Sequence, residues 1–163
     1  MFKRKLLPSG EPQRRRRLTA LAGGALALAC AMPAGATLGL AESSIEVDRS
    51  QMHAVAIREA KTSYVVHTLT IGEDVVREYV APGGAVFGVA WTGPSLPNLR
   101  QLLGADQFKT YTTSPHRQRG GRGHLIVQEG NLVVESNGRA RAFHGRAYLT
   151  NALPAGVTTD DVQ

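Results

Sequence analysis

Val75 to Gly104 reads VVREYVAPGGAVFGVAWTGPSLPNLRQLLG, and this stretch limits the fold more than any other. Two apolar, β-branched and aromatic runs flank Pro82-Gly83-Gly84, where Pro presets φ and Gly accepts a positive φ. The spacing predicts strands over 75–80 and 85–91 joined by a tight turn. Alternation puts Val76, Glu78 and Val80 on one face and Val75, Arg77 and Tyr79 on the other. In AVFGVAW, the large residues Phe87, Val89 and Trp91 share a face that should meet the core, and Gly88 marks a bulge or a close approach by another element. Pro94 and Pro97 end the second strand, because neither can donate to a ladder. Leu96, Leu99, Leu102 and Leu103 then have the spacing of one buried helical face, with Ser95 as its cap and Gly104 as its stop.

The same patterns extend outward. Asp48 and Gln51 have capping-box spacing for a short helix around 46–53, and His53 to Arg58 already alternates like a strand. Tyr64 to Ile71, followed by Gly72-Glu73-Asp74, forms a hairpin with the strand at 75–80. Phe108 to Thr112 reads as a further strand or extended arm, and Ser114 to Gly123 as loop. His124 to Gln128 and Leu132 to Glu135 make a second hairpin across Glu129-Gly130-Asn131. Asn137-Gly138 turns the chain into a last strand over 139–148. The expected architecture is α+β: a mostly antiparallel β-sheet built from hairpins, with one or two short helices packed on it.

The amino terminus reads as an address. Lys3, Arg4, Lys5 and Arg14 to Arg17 precede an apolar run from Leu18 to Met32 and the small-x-small site Ala34-Gly35-Ala36. Basic, apolar, small-residue site is the order of a secretory signal peptide. The expected organisation is therefore a cleaved signal over 1–36, a flexible leader over 37–44 and one α+β domain over 45–163. The apolar run is shorter than the roughly 20 residues a membrane span needs, so no transmembrane span is expected once the signal is removed. Arg15 to Leu18 faintly resembles a twin-arginine signal, and Cys30 after Ala27-Leu28-Ala29 a lipoprotein site. Cleavage after Ala36 discards Cys30 and leaves no thiol for a disulfide or a thiolate metal site.

Removing the signal also removes the charge excess. Of 19 Lys and Arg and 13 Asp and Glu, seven basic residues and one acid fall within 1–36, which leaves 12 of each. A formally neutral body argues against a nucleic-acid surface, so no nucleic acid is expected as a partner. The expected destination is the periplasm or the exterior, and the expected partner an envelope protein or glycan.

Chemistry-bearing residues are sparse. His53, His67, His116, His124 and His144 form no HxH or HxxxH pair, so neither a metal site nor a cofactor is expected. Ser114 and His116 lack a GxSxG elbow and do not make a triad. Glu78, among apolar strand residues, is a candidate base if it meets His144 and Arg146 in one pocket. The competing expectation pairs it with a cross-strand Arg141 or Arg146. Arg117, Arg119 and Arg122 lie in a Gly-rich RGG-like segment and are candidates for anion binding, against the simpler reading of a solvated surface loop. The leading expectation is a non-enzymatic binding or assembly module of the cell envelope. An enzyme using Glu78, His144 and Arg146 and an anion binder using the 117–122 arginines are the alternatives.

VREYVAPGGAVFGVAWTGPSLPNLRQLLG, LVVESNGRARAFHGRAYL and the closing LPAGV resemble the bacterial exported proteins of domain-of-unknown-function family 2844, over roughly Ser44 to Val162. Thr150-Asn151 departs from that pattern, where a Pro would be expected after GRAYL. The resemblance implies a signal peptide and an exported proteobacterial protein. It implies no activity and supplies no catalytic residue.

Overall fold

A computed structural model describes residues 38–120 and 123–163. The expected signal peptide over 1–36, with all of its charged residues, lies outside the described residues.

Eight strands form one antiparallel sheet: β1 (Val55–Ala60), β2 (Val65–Ile71), β3 (Asp74–Val80), β4 (Val86–Gly93), β5 (Arg117–Arg119), β6 (Leu125–Glu129), β7 (Leu132–Arg139) and β8 (Ala142–Leu149). Their order is β1-β2-β3-β4-β8-β7-β6-β5. Two four-strand meanders thus join at β4 and β8, which puts the most apolar strand at the centre. Two helices, α1 (Ser44–Gln51) and α2 (Leu99–Thr113), accompany the sheet. This is the α+β architecture that the hairpin spacing predicts.

The two faces have separate cores. On the helix face, Leu69, Val76, Val89, Trp91, Val127 and Val134 pack with Ile45, Leu102 and Leu103. On the other face, Val66, Tyr79, Phe87, Ala90, Val133 and Tyr148 pack beneath Val162 and the segment after β8. We call this the tail face. A 3-10 turn over Thr159–Asp161, capped reciprocally by Thr158 and Asp161, shapes the end of that segment.

A bulge decides the fate of Phe87. Tyr79 pairs with Gly88 while Val80 pairs with Val86, so Phe87 is the extra residue. Phe87 therefore leaves Val89 and Trp91 on the helix face and joins Tyr64 and Tyr79 on the tail face, with ring centroids about 6 Å apart. The expectation that all three large residues share a face fails for this reason. Gly88 answers to both expectations, since it adjoins the bulge and a Cβ there would lie 3.1 Å from the methyls of Val162.

The helices differ from their expected form in three respects. Asp48 does not cap α1: Ser43 is the cap residue, and Asp48 sits inside the helix, fully buried. Asn98, not Ser95, caps α2, accepting a hydrogen bond from the Gln101 backbone N–H, and Leu96 is 49 % exposed rather than part of the buried face. Gly104 does break the helix, with φ 75° and ψ 166°, but helical structure resumes and carries Phe108 to Thr112, where a strand or extended arm was expected. Tyr111 is buried by that continuation. Asn137 and Gly138 lie within β7, and the turn to β8 falls at Ala140-Arg141, with Arg141 at φ 62°.

Candidate functional site

Antiparallel register turns the tail face of β3, β4, β8 and β7 into two cross-strand rows. Arg77, Ala90, Arg146 and Glu135 are successive partners in the first. Thr92, His144 and Asn137 are successive partners in the second. His124, just before β6, extends that row beside Asn137. These rows, bounded by Val162 and Gln163, line an open groove of about 310 Å³.

Within the groove, the side chains divide into fastened and available. Arg146 is fastened: Nε and Nη2 donate to the two oxygens of Glu135 at 3.0 and 3.2 Å, and Nη1 donates to the Thr159 carbonyl at 2.7 Å. Glu135 and the adjacent charge of Asp160 raise the pKa of Arg146, so it stays a cation and a clamp on the tail. Arg77 is available. Its Nη1 reaches a main-chain oxygen of Gln163, at 3.4 Å, and among the described residues no Asp or Glu side chain lies in ion-pair range of it. Thr92, His124, Asn137 and His144 add a hydroxyl, two imidazoles and an amide on the same face.

Glu78 does not belong to this groove. It pairs in register with Val89, one residue out of step with the Arg77–Ala90–Arg146 row, and so points to the helix face. His144 and Arg146 come together; Glu78 is separated from both by the sheet. The structure also gives Glu78 no cross-strand arginine, because Arg146 holds Glu135. Glu78 instead meets Asp48 from α1, both fully buried, while Gln101 Nε2 from α2 donates to Asp48 Oδ1 at 2.6 Å. Burial first, then the charge and hydrogen bonding of Asp48, push the Glu78 carboxyl up to about 9. A neutral carboxyl beside a second carboxyl is the arrangement this allows. It is sealed beneath two helices, and it ties α1 and α2 to β3.

The arginines at 117–122 are not one free loop. Arg117 and Arg119 belong to β5, and the Arg117 guanidinium lies 5.3 Å from the centroid of the Tyr111 ring on the helix face. Arg119 is exposed, and Arg122 lies outside the described residues. Nearby, Ser114 Oγ donates to Glu129 at 2.8 Å and His116 Nδ1 meets the same carboxylate oxygen at 2.9 Å. The serine hydroxyl is thus spent on a carboxylate and not on an imidazole, which is not a nucleophile-and-base pair. The two partners hold the Glu129 carboxyl below its usual range, His116 first. Among the described residues no group of three or more His, Cys, Asp or Glu is placed to hold a metal ion.

Sequence reasoning identified His144 and Arg146 but missed Arg77, Thr92, His124 and Asn137 as their neighbours. Part of the signal was legible, since adjacent strand residues point to opposite faces, so Arg77 and Glu78 cannot share a pocket. The rest needed the β4–β8 and β7–β8 registers, which bring together residues up to 69 positions apart, such as Arg77 and Arg146.

A family model described as "Protein of unknown function (DUF2844)" matches residues 34–162. No curated protein and no solved structure matches the chain.

Proposed function

Since the chain belongs to the DUF2844 family, we propose from its own geometry that it is an exported, non-catalytic binding module of the cell envelope, with the tail-face groove as its ligand site. The observation that carries this reading is the pairing of a guanidinium that no Asp or Glu side chain engages, Arg77, with a row of polar side chains across Thr92, His144 and Asn137. Glu135, the one Asp or Glu side chain among the described lining residues, is already held by Arg146. A groove of that balance suits an anionic, hydroxylated ligand such as an acidic glycan, with the carboxylate on Arg77 and hydroxyls along the donor row. Export is supported by the basic, apolar and small-residue order of residues 1–36.

Two measurements test the reading. Intact mass of the protein recovered from fractionated cells should give a chain beginning at Thr37 outside the cytosol; a full-length chain in the cytosol would overturn export. Titration calorimetry with matched acidic and neutral envelope oligosaccharides should show preference for the acidic one. Arg77→Ala should weaken it at least about tenfold, the usual worth of a charge-assisted hydrogen bond. Equal binding of both sugars, or an unchanged affinity in Arg77→Ala, would sink the assignment of the groove.

A further inference from the structure

The edge of the sheet opposite the groove carries an observation that the ligand site does not use. β1 lies at that edge, and all six of its residues are exposed. Val55 is 70 % and Ile57 64 % exposed, the two most exposed large hydrophobic residues among those described. Their cross-strand partners Thr70 and Thr68 place both on the tail face, beyond the reach of the segment that covers Val66 and Tyr79. A strand with one open side presents unpaired backbone donors and acceptors, and soluble proteins ordinarily defend such an edge with charge. Here half the defence is turned away, since Arg58 points to the helix face and donates from Nε to Glu42 Oε1 at 3.0 Å, and the other half, Glu59, shares the tail face at the far end of the strand. Lys61 is engaged by Glu59.

We propose that β1 is a self-association edge, pairing antiparallel with β1 of a second copy of this chain about a two-fold axis through Ile57. In that register Ile57 meets Ile57 of the second copy, and Val55 meets the aliphatic stem of Glu59. Ala56 meets Arg58, so no like charges stand directly opposed. Slipping by one residue would oppose apolar side chains to the wrong face, which period-two alternation penalises. The second copy fits this edge better than the opposite one, because β5 offers only three residues, two of them arginine. The contact comprises one strand pair and four central side chains. It belongs to the small, weak class of interfaces, below about 1,200 Å², so dimerisation is reversible and concentration-dependent.

Sedimentation equilibrium of the protein as recovered from cells, from low micromolar to millimolar concentration, should give a reversible monomer–dimer curve. Hydrogen exchange over 55–60 should slow by at least about tenfold between the ends of that range, as expected when open edge amides become paired. Ile57→Lys should abolish both effects, and Leu96→Lys, exposed elsewhere, should leave both intact. Circular dichroism checks that each variant is folded, and Val55→Lys serves if Ile57→Lys is not. A monomer throughout, a dimer unchanged by Ile57→Lys, or protection of 55–60 that appears only on adding a different protein would each overturn the proposal.

Discussion

Asp48 and Glu78 meet in the core beneath the helices, one from α1 and one from β3, both with no exposed surface. Residues 30 positions apart, each of a type rarely buried, are brought face to face and bridged to α2 by Gln101. Their proximity makes the fold sensitive to alkali. The Glu78 carboxyl titrates at about 9 in the folded chain against an ordinary 4.5, so between those values the folded state binds more protons than the unfolded one. Stability from this group is complete below about pH 4.5 and is lost as pH rises towards 9. Glu78→Gln removes the titration while its amide still donates to Asp48. Urea unfolding at pH 5, 7 and 9 should show a slope for the native protein and a flatter one for the variant. At pH 9 the variant should be the more stable by more than about 1 kcal/mol, the worth of one pKa unit.

Arg146 is the tail's fastener. Its two-pronged grip on Glu135 leaves Nη1 free to hold the Thr159 carbonyl, a geometry lysine cannot reproduce. Arg146→Lys should cost about 1–3 kcal/mol and should speed amide exchange over 158–163 while β6 and β7 stay protected.

Gly145 makes room for the indole of Trp91. A Cβ there would lie 2.3 Å from Trp91 Cζ2 and 2.5 Å from the Glu135 carbonyl oxygen, so Gly145→Ala has no undistorted solution. It should destabilise by about 1–3 kcal/mol, the usual range for overpacking, and shift the Trp91 fluorescence. Gly88→Ala meets only the Val162 methyls at 3.1 Å, which belong to the tail and can yield. Its cost should be the smaller of the two in the same thermal unfolding series.

Gly104 interrupts α2 with φ 75° and ψ 166°, a conformation nearly closed to residues with a Cβ. Gly104→Ala should lose about 1–3 kcal/mol, and the loss should appear as faster exchange across 99–113 rather than in the strands.

Strand positions were legible because alternation is local. Val75 to Val80, Leu132 to Glu135 and the run ending at Tyr148 all lie where period-two patterning puts them. The second segment of α2 was not: Phe108, Tyr111 and the threonines at 110, 112 and 113 have strand-like propensity, but burying Tyr111 and Phe108 against the sheet outweighs it. The seat of Arg117 against Tyr111, six residues earlier, was not legible either, because with 108–112 expected as a strand or extended arm and 114–123 as loop no shared face is defined on which the two would meet.

The chain's order of apolar, turn and β-branched residues was enough by itself to determine a hairpin-built antiparallel sheet with accompanying helices, since backbone periodicity and turn chemistry act over a few residues. Which side chains share a face across strands was decided only by the tertiary structure. A single bulged residue at Phe87 and the join of β4 to β8 set the register, and register alone sends Glu78 to the buried Asp48 and Arg77 to the open groove.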